Sequence, residues 1–428
     1  MSTEYGFDTL ALHAGSKIDE TGARGVPVHR TSAYLFRDTR HAADLFGLKE
    51  PGNIYTRLMN PTHDVLEQRM AALECGAAAL ALASGTAAIF YTVINICGMG
   101  DEVVSANNLY GGTYTMFDSI LPEMGIKTRF VNPLDPANFE KEINDKTRML
   151  YVESIGNPVL EVADIDEISK IAGKHHLPLV VDSTFTTPYL FRPIEHGADI
   201  AVHSLTKWLG GHGTGIGGVV VDSGRFDWTD DKFRLYNNPD PSYHGLRYAH
   251  DLGDLNALAF ILRMRLVPLR NLGACISPDN AWMFLQGIET LSLRMQRHCD
   301  NAMKVAQFLD DHPIVKWVRY PGLEGDPAHS NASRQFKNGF GGMVVFGIEG
   351  GRPSGEAFIN HLTLISHLAN VGDAKTLAIH PASTTHSQLT EDQQREGGIT
   401  PDLIRLSVGI EDVKDITRDL DQALKKTN

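Results

Sequence analysis

Apolar positions along the chain change their period several times, and the changes mark its organisation. Up to about residue 62 the sequence is rich in Gly, Pro, Thr and Arg and shows little helical spacing. It reads as an extended arm. An arm of that length has little core of its own, so it belongs against another surface, such as a second subunit. From residue 63 the pattern changes. "HDVLEQRMAALECG" carries apolar residues at helical spacing and stops at a glycine. "AAALALAS" and "GTAAIFYTVINICGMG" then read as strand, turn and helix, and "DEVVSA" with "NNLYGGTYTMFDSILPEMG" repeats that order. "TRMLYVES" reads as a strand and "DIDEISKIAGKHH" as a helix. "LPLVVDSTF", "ADIAVHSL" and "GIGGVVVDS" are further strands with long apolar stretches. Strands without polar alternation are buried on both faces, and their alternation with helices indicates an α/β domain built on a mostly parallel sheet.

Residues 223–256 are polar and contain "NNPDPSYHG", which predicts a loop insertion. The stretch from Leu255 to Pro313 is helical in pattern, with Leu and Met at core spacing, and predicts a long helix joining two domains. After it, "IVKWVRY", "GGMVVFGIEG", "LTLISHLA" and "LIRLSVGIE" are strand-like, with helices between them. The expected organisation is an arm over residues 1–62, a large domain over 63–270, and a connecting helix with a smaller α/β domain over 271–428.

Composition narrows the function classes. The formal net charge of −13 speaks against a nucleic-acid-binding surface. No apolar run reaches the ~18 residues of a membrane span. The first residues, "MSTEYGFDTLALHAGS", lack a basic segment followed by an apolar one, so no secretory signal is read and the cytoplasm is expected. Four cysteines without a C-x-x-C pair suggest reduced, mostly buried thiols. No metal-binding histidine spacing and no G-x-S-x-G elbow occur; His380 and His386 read as loop residues.

Ligands of α/β sheets bind beyond the carboxyl ends of parallel strands. The polar residues expected there are Ser84, Gly85 and Thr86, the stretch Asn108–Gly112 with Tyr110, Glu153 and Asn157, Asp182, and Ser204, Thr206 and Lys207. "ASGTAA" opens a helix, where free N–H groups suit a phosphate, although an ordinary serine cap is the plainer reading. "GTGIGG" matches G-x-G-x-x-G at Gly213, Gly215 and Gly218, but the glycines precede a strand instead of following one. They are expected to let the backbone pass close to a ligand or another chain, not to bind a dinucleotide. Asp182 ends an apolar strand, and a buried carboxylate needs a partner. Lys207 sits between hydroxyl residues and glycines with no carboxylate near it in sequence. A carboxylate for a pyridinium and a lysine for an aldehyde are the pair that pyridoxal phosphate requires, with Ser204 and Thr206 placed to hold its phosphate.

The segments "YTRLMNPT", "ASGTAA", "NNLYGGTY", "VESIGNP", "VVDSTFTTP", "HSLTKWLGGH" and "LIRLSVGIED" together resemble the Cys/Met-metabolism class of pyridoxal-phosphate enzymes, almost end to end. The length, "PDPSYHGL", "ISPDNAWMFLQGIETLSLRMQRH" and "HPASTTHSQLT" resemble its O-acetylhomoserine sulfhydrylase branch. Thr86 departs from that branch, which often carries glutamine there. The resemblance implies a fold-type I transferase with a mostly parallel seven-stranded sheet. It implies that Lys207 bonds the cofactor's aldehyde and that Asp182 pairs with its ring nitrogen. Ser84, Gly85, Thr86, Ser204 and Thr206 would lie at its phosphate, with Tyr55 and Arg57 reaching the phosphate of a neighbouring subunit. Tyr110 would stack on the ring. Arg405 would grip the substrate's α-carboxylate, with Asn157, also a cofactor contact, and Ser383 assisting. The implied reaction joins O-acetylhomoserine and sulfide, or another sulfur donor, to give homocysteine, in a homotetramer. Lys207 would be the base, and Tyr110 or Tyr55 would assist proton transfer. The alternatives are a cystathionine γ-synthase, a cystathionine or methionine γ-lyase, a cofactor-free Schiff-base aldolase, and a binding protein on a degenerate transferase fold.

Overall fold

The computed structural model describes residues 5–384 and 398–427. His386 and most of "HPASTTHSQLT" lie outside the described residues. The first sheet has seven strands: β1 (Ala78–Leu82), β2 (Glu102–Ala106), β3 (Lys127–Val131), β4 (Thr147–Glu153), β5 (Leu179–Asp182), β6 (Ile200–Ser204) and β7 (Gly218–Asp222). Their spatial order is β1-β7-β6-β5-β4-β2-β3. The β2–β3, β2–β4, β4–β5 and β5–β6 ladders are parallel, and β7 runs antiparallel to both its neighbours. The strands read as apolar throughout occupy the middle, where helices cover both faces. The exception to that reading is β3, which the pattern did not mark. Its "KTRFV" is polar at three of five positions and half-exposed, as an edge strand can be.

Helices return the chain between strands. Pro61–Leu73 starts with Asn60 as its cap, whose side chain accepts the Thr62 N–H, and with Pro61 in its first turn. Gly85–Ile96 starts on Ser84, whose Oγ accepts the Ala87 N–H at 3.0 Å. These local choices place the Gly85 helix N-terminus at the carboxyl end of β1.

The stretch from 255 to 313 is not one helix. Its first part contains Pro268, which has no N–H to give, and ends at Gly273 with φ +84°. Pro278–Glu289 and Leu291–Asp310 follow, separated by Thr290. The polar segment 223–256 is largely irregular, as read, but its aromatic residues are core. Trp228, Phe233, Tyr236 and Tyr248 are buried, and Trp228 stacks on Tyr236 at 4.3 Å between centroids.

The second sheet contains β8 (Val315–Arg319), β9 (Met343–Ile348), β10 (Ser366–His367), β11 (Leu377–Ile379) and β12 (Leu403–Ser407), in the order β10-β11-β12-β9-β8. It is antiparallel except between β10 and β11. "LTLISHLA" contributes only two strand residues, and the three-residue β11 went unread. Helices Leu291–Asp310, Gly351–His361 and Val413–Leu424 supply Val305, Phe358 and Leu420 to its core.

The arm is only partly extended. Its helix Phe7–His13 buries Leu10 and Ala11 in the same core cluster as Leu66 and Met70 of this chain, and Arg69 Nε donates to Ala14 O at 3.0 Å. Further along, Leu35 is 99% exposed, and Phe36, Phe46 and Tyr55 are exposed too. Among the described residues no helix is long and apolar enough to cross a membrane.

Candidate active site

The carboxyl ends of β4, β5 and β6 lie side by side. Asp182 registers with Glu153 on one side and with Val202 on the other, two residues before Ser204. After β6 the chain turns through Thr206 and Lys207. Lys207 Nζ meets no carboxylate among the described residues; it donates to Asn370 Oδ1 at 2.6 Å. Burial, reinforced by the guanidinium of Arg405, lowers the amine's pKa to about 8. A desolvated lysine beside a cation is the usual way to obtain a neutral nucleophilic amine.

Arg405 sits in the middle of β12 and is buried. Burial lowers its pKa to about 10, and the one side-chain hydrogen bond it makes among the described residues runs from Nη1 to Asn157 Oδ1 at 3.2 Å. A buried guanidinium without a carboxylate has unused donors in the geometry that an α-carboxylate fits. Tyr110 is half open at the start of helix Gly111–Thr115, near enough for its phenol to act on Arg405. Its N–H donates to Glu153 Oε1 at 2.7 Å. Lys207, Arg405, Asn157 and Tyr110 are thus neighbours, and Glu153, which accepts the Tyr110 N–H, connects them to its register partner Asp182.

The backbone around the Gly85 helix leaves no room for side chains. A Cβ on Gly85 would come within 2.7 Å of Ser204 Cβ, and one on Gly218 within 2.5 Å of the Ser84 carbonyl carbon and 2.8 Å of Gly85 N. The glycines of "GTGIGG" therefore serve close approach within this chain, and the strand β7 follows them instead of a helix. Two expected phosphate hydroxyls are already engaged. Ser84 caps its helix, and Thr206 Oγ1 accepts the Gly217 N–H at 3.1 Å. Ser204 N–H donates to Thr184 Oγ1 at 2.9 Å, which leaves the Ser204 hydroxyl facing Gly85.

Other expected residues lie apart. Ser383 Oγ bonds to His380 Nδ1 at 2.8 Å and makes no bond to Arg405 among the described residues. Tyr55 and Arg57 pack on each other, with the Arg57 guanidinium 5.3 Å from the ring centroid. Arg57 also donates to the Arg270 carbonyl, so neither residue joins this chain's own crevice.

Two residues of the neighbourhood went unnoticed in the sequence. Asn370 lies in a loop 163 positions beyond Lys207, and only the tight glycine after it hints at close packing. Gly372 has φ +77°, and a Cβ there would lie 2.5 Å from Trp208 N. Arg294 is buried with no carboxylate partner among the described residues. It donates to the carbonyls of Trp208 (2.8 Å), Leu209 (3.2 Å) and Gly287 (2.6 Å), and so fixes the turn that carries Lys207.

These features fit pyridoxal phosphate. Asp182 is a carboxylate whose pKa burial raises, and it forms no ion pair among the described residues. Lys207 is a low-pKa amine with no anion paired to it among the described residues. The Gly85 helix presents free N–H groups beside the Ser204 hydroxyl, where an anion is favoured. A ring cation, an aldehyde and a phosphate complete those three places.

Comparison with known proteins agrees. Residues 8–425 match the family model described as Cys/Met metabolism PLP-dependent enzyme. An O-acetyl-L-homoserine sulfhydrylase of Leptospira meyeri is 53% identical over 98% of this chain and 96% of its own length. A homocysteine synthase of Schizosaccharomyces pombe is 51% identical over 98% of each chain. A solved O-acetylhomoserine (thiol)-lyase structure from Campylobacter jejuni, described with a pyridoxyl-lysine phosphate, superposes with a TM-score of 0.95 at 41% identity, over 98% of this chain and 100% of that one. The chain belongs to the Cys/Met-metabolism family of PLP-dependent enzymes, with pyridoxal phosphate as its cofactor.

Proposed function

We propose that the protein catalyses a γ-replacement, converting O-acetyl-L-homoserine and sulfide to L-homocysteine and acetate. One observation carries the reading: a buried amine, Lys207, and a buried guanidinium, Arg405, lie close enough to act on each other, and neither has a carboxylate partner among the described residues. They do so in a chain 53% identical over nearly its whole length to a protein named O-acetyl-L-homoserine sulfhydrylase.

When bound, pyridoxal phosphate supplies an aldehyde for amines and a protonated ring that accepts electrons from the bonds around Cα. The chain supplies the rest. Lys207 would hold the aldehyde, Asp182 would keep the ring nitrogen protonated, and Tyr110 would stack on the ring. The Gly85 and Thr86 N–H groups and the Ser204 hydroxyl would hold the phosphate. Arg405, braced by Asn157, would bind the substrate's α-carboxylate, with Ser383 assisting. Lys207, once its amine is free, would take the α-proton. With a pKa of about 8, about a tenth of that amine is neutral at pH 7, enough for a base that works near neutrality. A β-proton follows, with Tyr110 or Tyr55 assisting, and acetate departs from Cγ. Hydrosulfide then bonds to Cγ, and the two protons return.

The same proposal includes a cytoplasmic homotetramer. Its support is the arm, which exposes Leu35, Phe36 and Phe46 and holds Tyr55 and Arg57 away from this chain's crevice. In an assembly, Tyr55 and Arg57 reach the phosphate of a neighbouring copy.

The test supplies the purified, cofactor-loaded protein with O-acetylhomoserine and either sulfide or cysteine. Fast homocysteine formation with sulfide and little cystathionine with cysteine is the expected result. Cystathionine as the main product, or no replacement at all, overturns the reading in favour of the synthase or lyase branch. Full turnover by Lys207→Ala would overturn the mechanism.

A further inference from the structure

β4 and β5 end in two carboxylates on adjacent parallel strands. Glu153 and Asp182 are register partners, so their side chains leave the same face of the sheet. Neither forms an ion pair among the described residues, and their surroundings differ. Asp182 opens partly to the crevice. Its Oδ1 accepts the Thr184 N–H at 2.9 Å, the Tyr151 hydroxyl lies 3.5 Å from Oδ2, and His203 is near enough to favour its charge. Glu153 is 7% exposed, and its one hydrogen bond among the described residues comes from the Tyr110 N–H. Two adjacent buried carboxylates do not both ionise cheaply, and the one with more donors and access to the crevice ionises first. Burial and the nearby Asp182 accordingly push Glu153 well above the usual carboxylate range.

We propose that Glu153 is a positioning residue that keeps its proton while Asp182 carries the charge, and that it anchors the Tyr110 turn through the Tyr110 backbone N–H. The wall under the ring then presents one negative charge, at Asp182, and the Tyr110 ring is held over its face. This inference rests on the proposed pairing of the cofactor ring with Asp182 only for its consequence. The protonation of Glu153 is readable without the cofactor.

The experiment is infrared difference spectroscopy of the cofactor-free full-length protein at about pH 7, wild type against Glu153→Gln. The expected result is a carboxylic-acid C=O band present in the wild type and absent in the variant. Cofactor titration then separates charge from hydrogen bonding. Glu153→Gln keeps an acceptor for the Tyr110 N–H and should hold cofactor affinity within about threefold, with the bound cofactor's visible dichroism retained. Glu153→Ala removes the acceptor and should lose about tenfold in affinity, with the dichroism reduced. Absence of the acid band, or equal damage in the Gln and Ala variants, overturns the proposal. Should Glu153→Gln fail to fold, Glu153→Ala takes its place in the infrared difference, since every other buried acid, Asp222 included, contributes equally to both spectra. Unchanged cofactor affinity in Asp182→Asn would instead overturn the ring placement and leave the protonation of Glu153 standing.

Discussion

The Lys207 ammonium donates to Asn370 Oδ1 at 2.6 Å, so the side chain facing the reactive amine is a neutral amide. An amide accepts a hydrogen bond from the amine without stabilising its charge as a carboxylate would. The lowered pKa of about 8 depends on that choice, because burial and Arg405 are opposed by no anion among the described residues.

Asn370→Asp should therefore raise the Lys207 pKa by about one unit or more. In the cofactor-free protein the neutral amine captures the aldehyde, so capture should rise with pH through about 8 in the wild type. In the Asp variant the rise should move to higher pH, and capture at pH 7 should slow about tenfold. Stopped-flow absorbance at several pH values measures this. An unshifted profile would show that Asn370 does not set the amine's charge.

Arg294 donates to three carbonyls, two of which belong to the turn just after Lys207. Arg294→Met keeps much of the volume but takes away the donors to the Trp208 and Leu209 carbonyls, while Gly287 O keeps the Thr290 N–H. The cost should be about 3 kcal/mol in urea unfolding of the cofactor-free protein. Arg294→Lys, reaching fewer carbonyls, should cost about half of that. Cofactor affinity should fall in the same order, since the turn also positions Lys207.

Much of the fold was legible because its central strands are apolar on both faces and punctuated by glycine and by caps such as Asn60 and Ser84. Lys207 and Asp182 stood out because each ends such a strand without a local counter-charge. Asn370 did not, since its partner is 163 residues away and asparagine in a loop is ordinary. Arg294 was hidden for a related reason. On a helix it reads as solvated, and its carbonyl partners belong to other segments. The polar β3 shows the same limit for strands, because a sheet edge asks for no apolar pattern. Hydroxyl roles were the least legible: sequence placed Ser84 and Thr206 near a phosphate, but only geometry shows that each is already bonded to backbone.

Gly218 is the place where the cradle tolerates no side chain. A Cβ there would meet backbone atoms of Ser84 and Gly85, which cannot swing aside as a side chain could. Gly218→Ala should displace the helix N-terminus, cost about 2–3 kcal/mol in stability and weaken cofactor binding at least about tenfold. Gly173→Ala is the matched control. It lies in helix Ile165–Lys174 with open space around its Cβ, and should stabilise by about 0.5–1 kcal/mol. Equal behaviour of the two variants in urea unfolding and cofactor titration would refute the steric account.

Asp222, at the opposite end of the sheet from the crevice, gives the cofactor-free protein a pH dependence. It is buried, its Oδ1 accepts the Gly224 N–H at 2.8 Å, and its Oδ2 has no partner among the described residues. Burial, with a smaller contribution from Asp199, raises its pKa to about 7; burial raises that of Asp199 to about 6. Both folded-state values exceed the usual 3.8 of an unfolded aspartate, so between about pH 4 and 7 the folded chain holds protons that the unfolded chain has lost. The stability this contributes is complete below about pH 4 and is lost as pH rises through 6 and 7. Asp222→Asn should flatten that decline by up to about 4 kcal/mol, the ceiling set by a shift of some three units. Urea midpoints measured at about pH 5, 6.5 and 8 decide the matter. Buried His63 and His298, both lowered to about 4, push the wild-type slope the other way, so the comparison with the variant is what counts: an Asn variant with the same slope as the wild type would rule out Asp222 as a source.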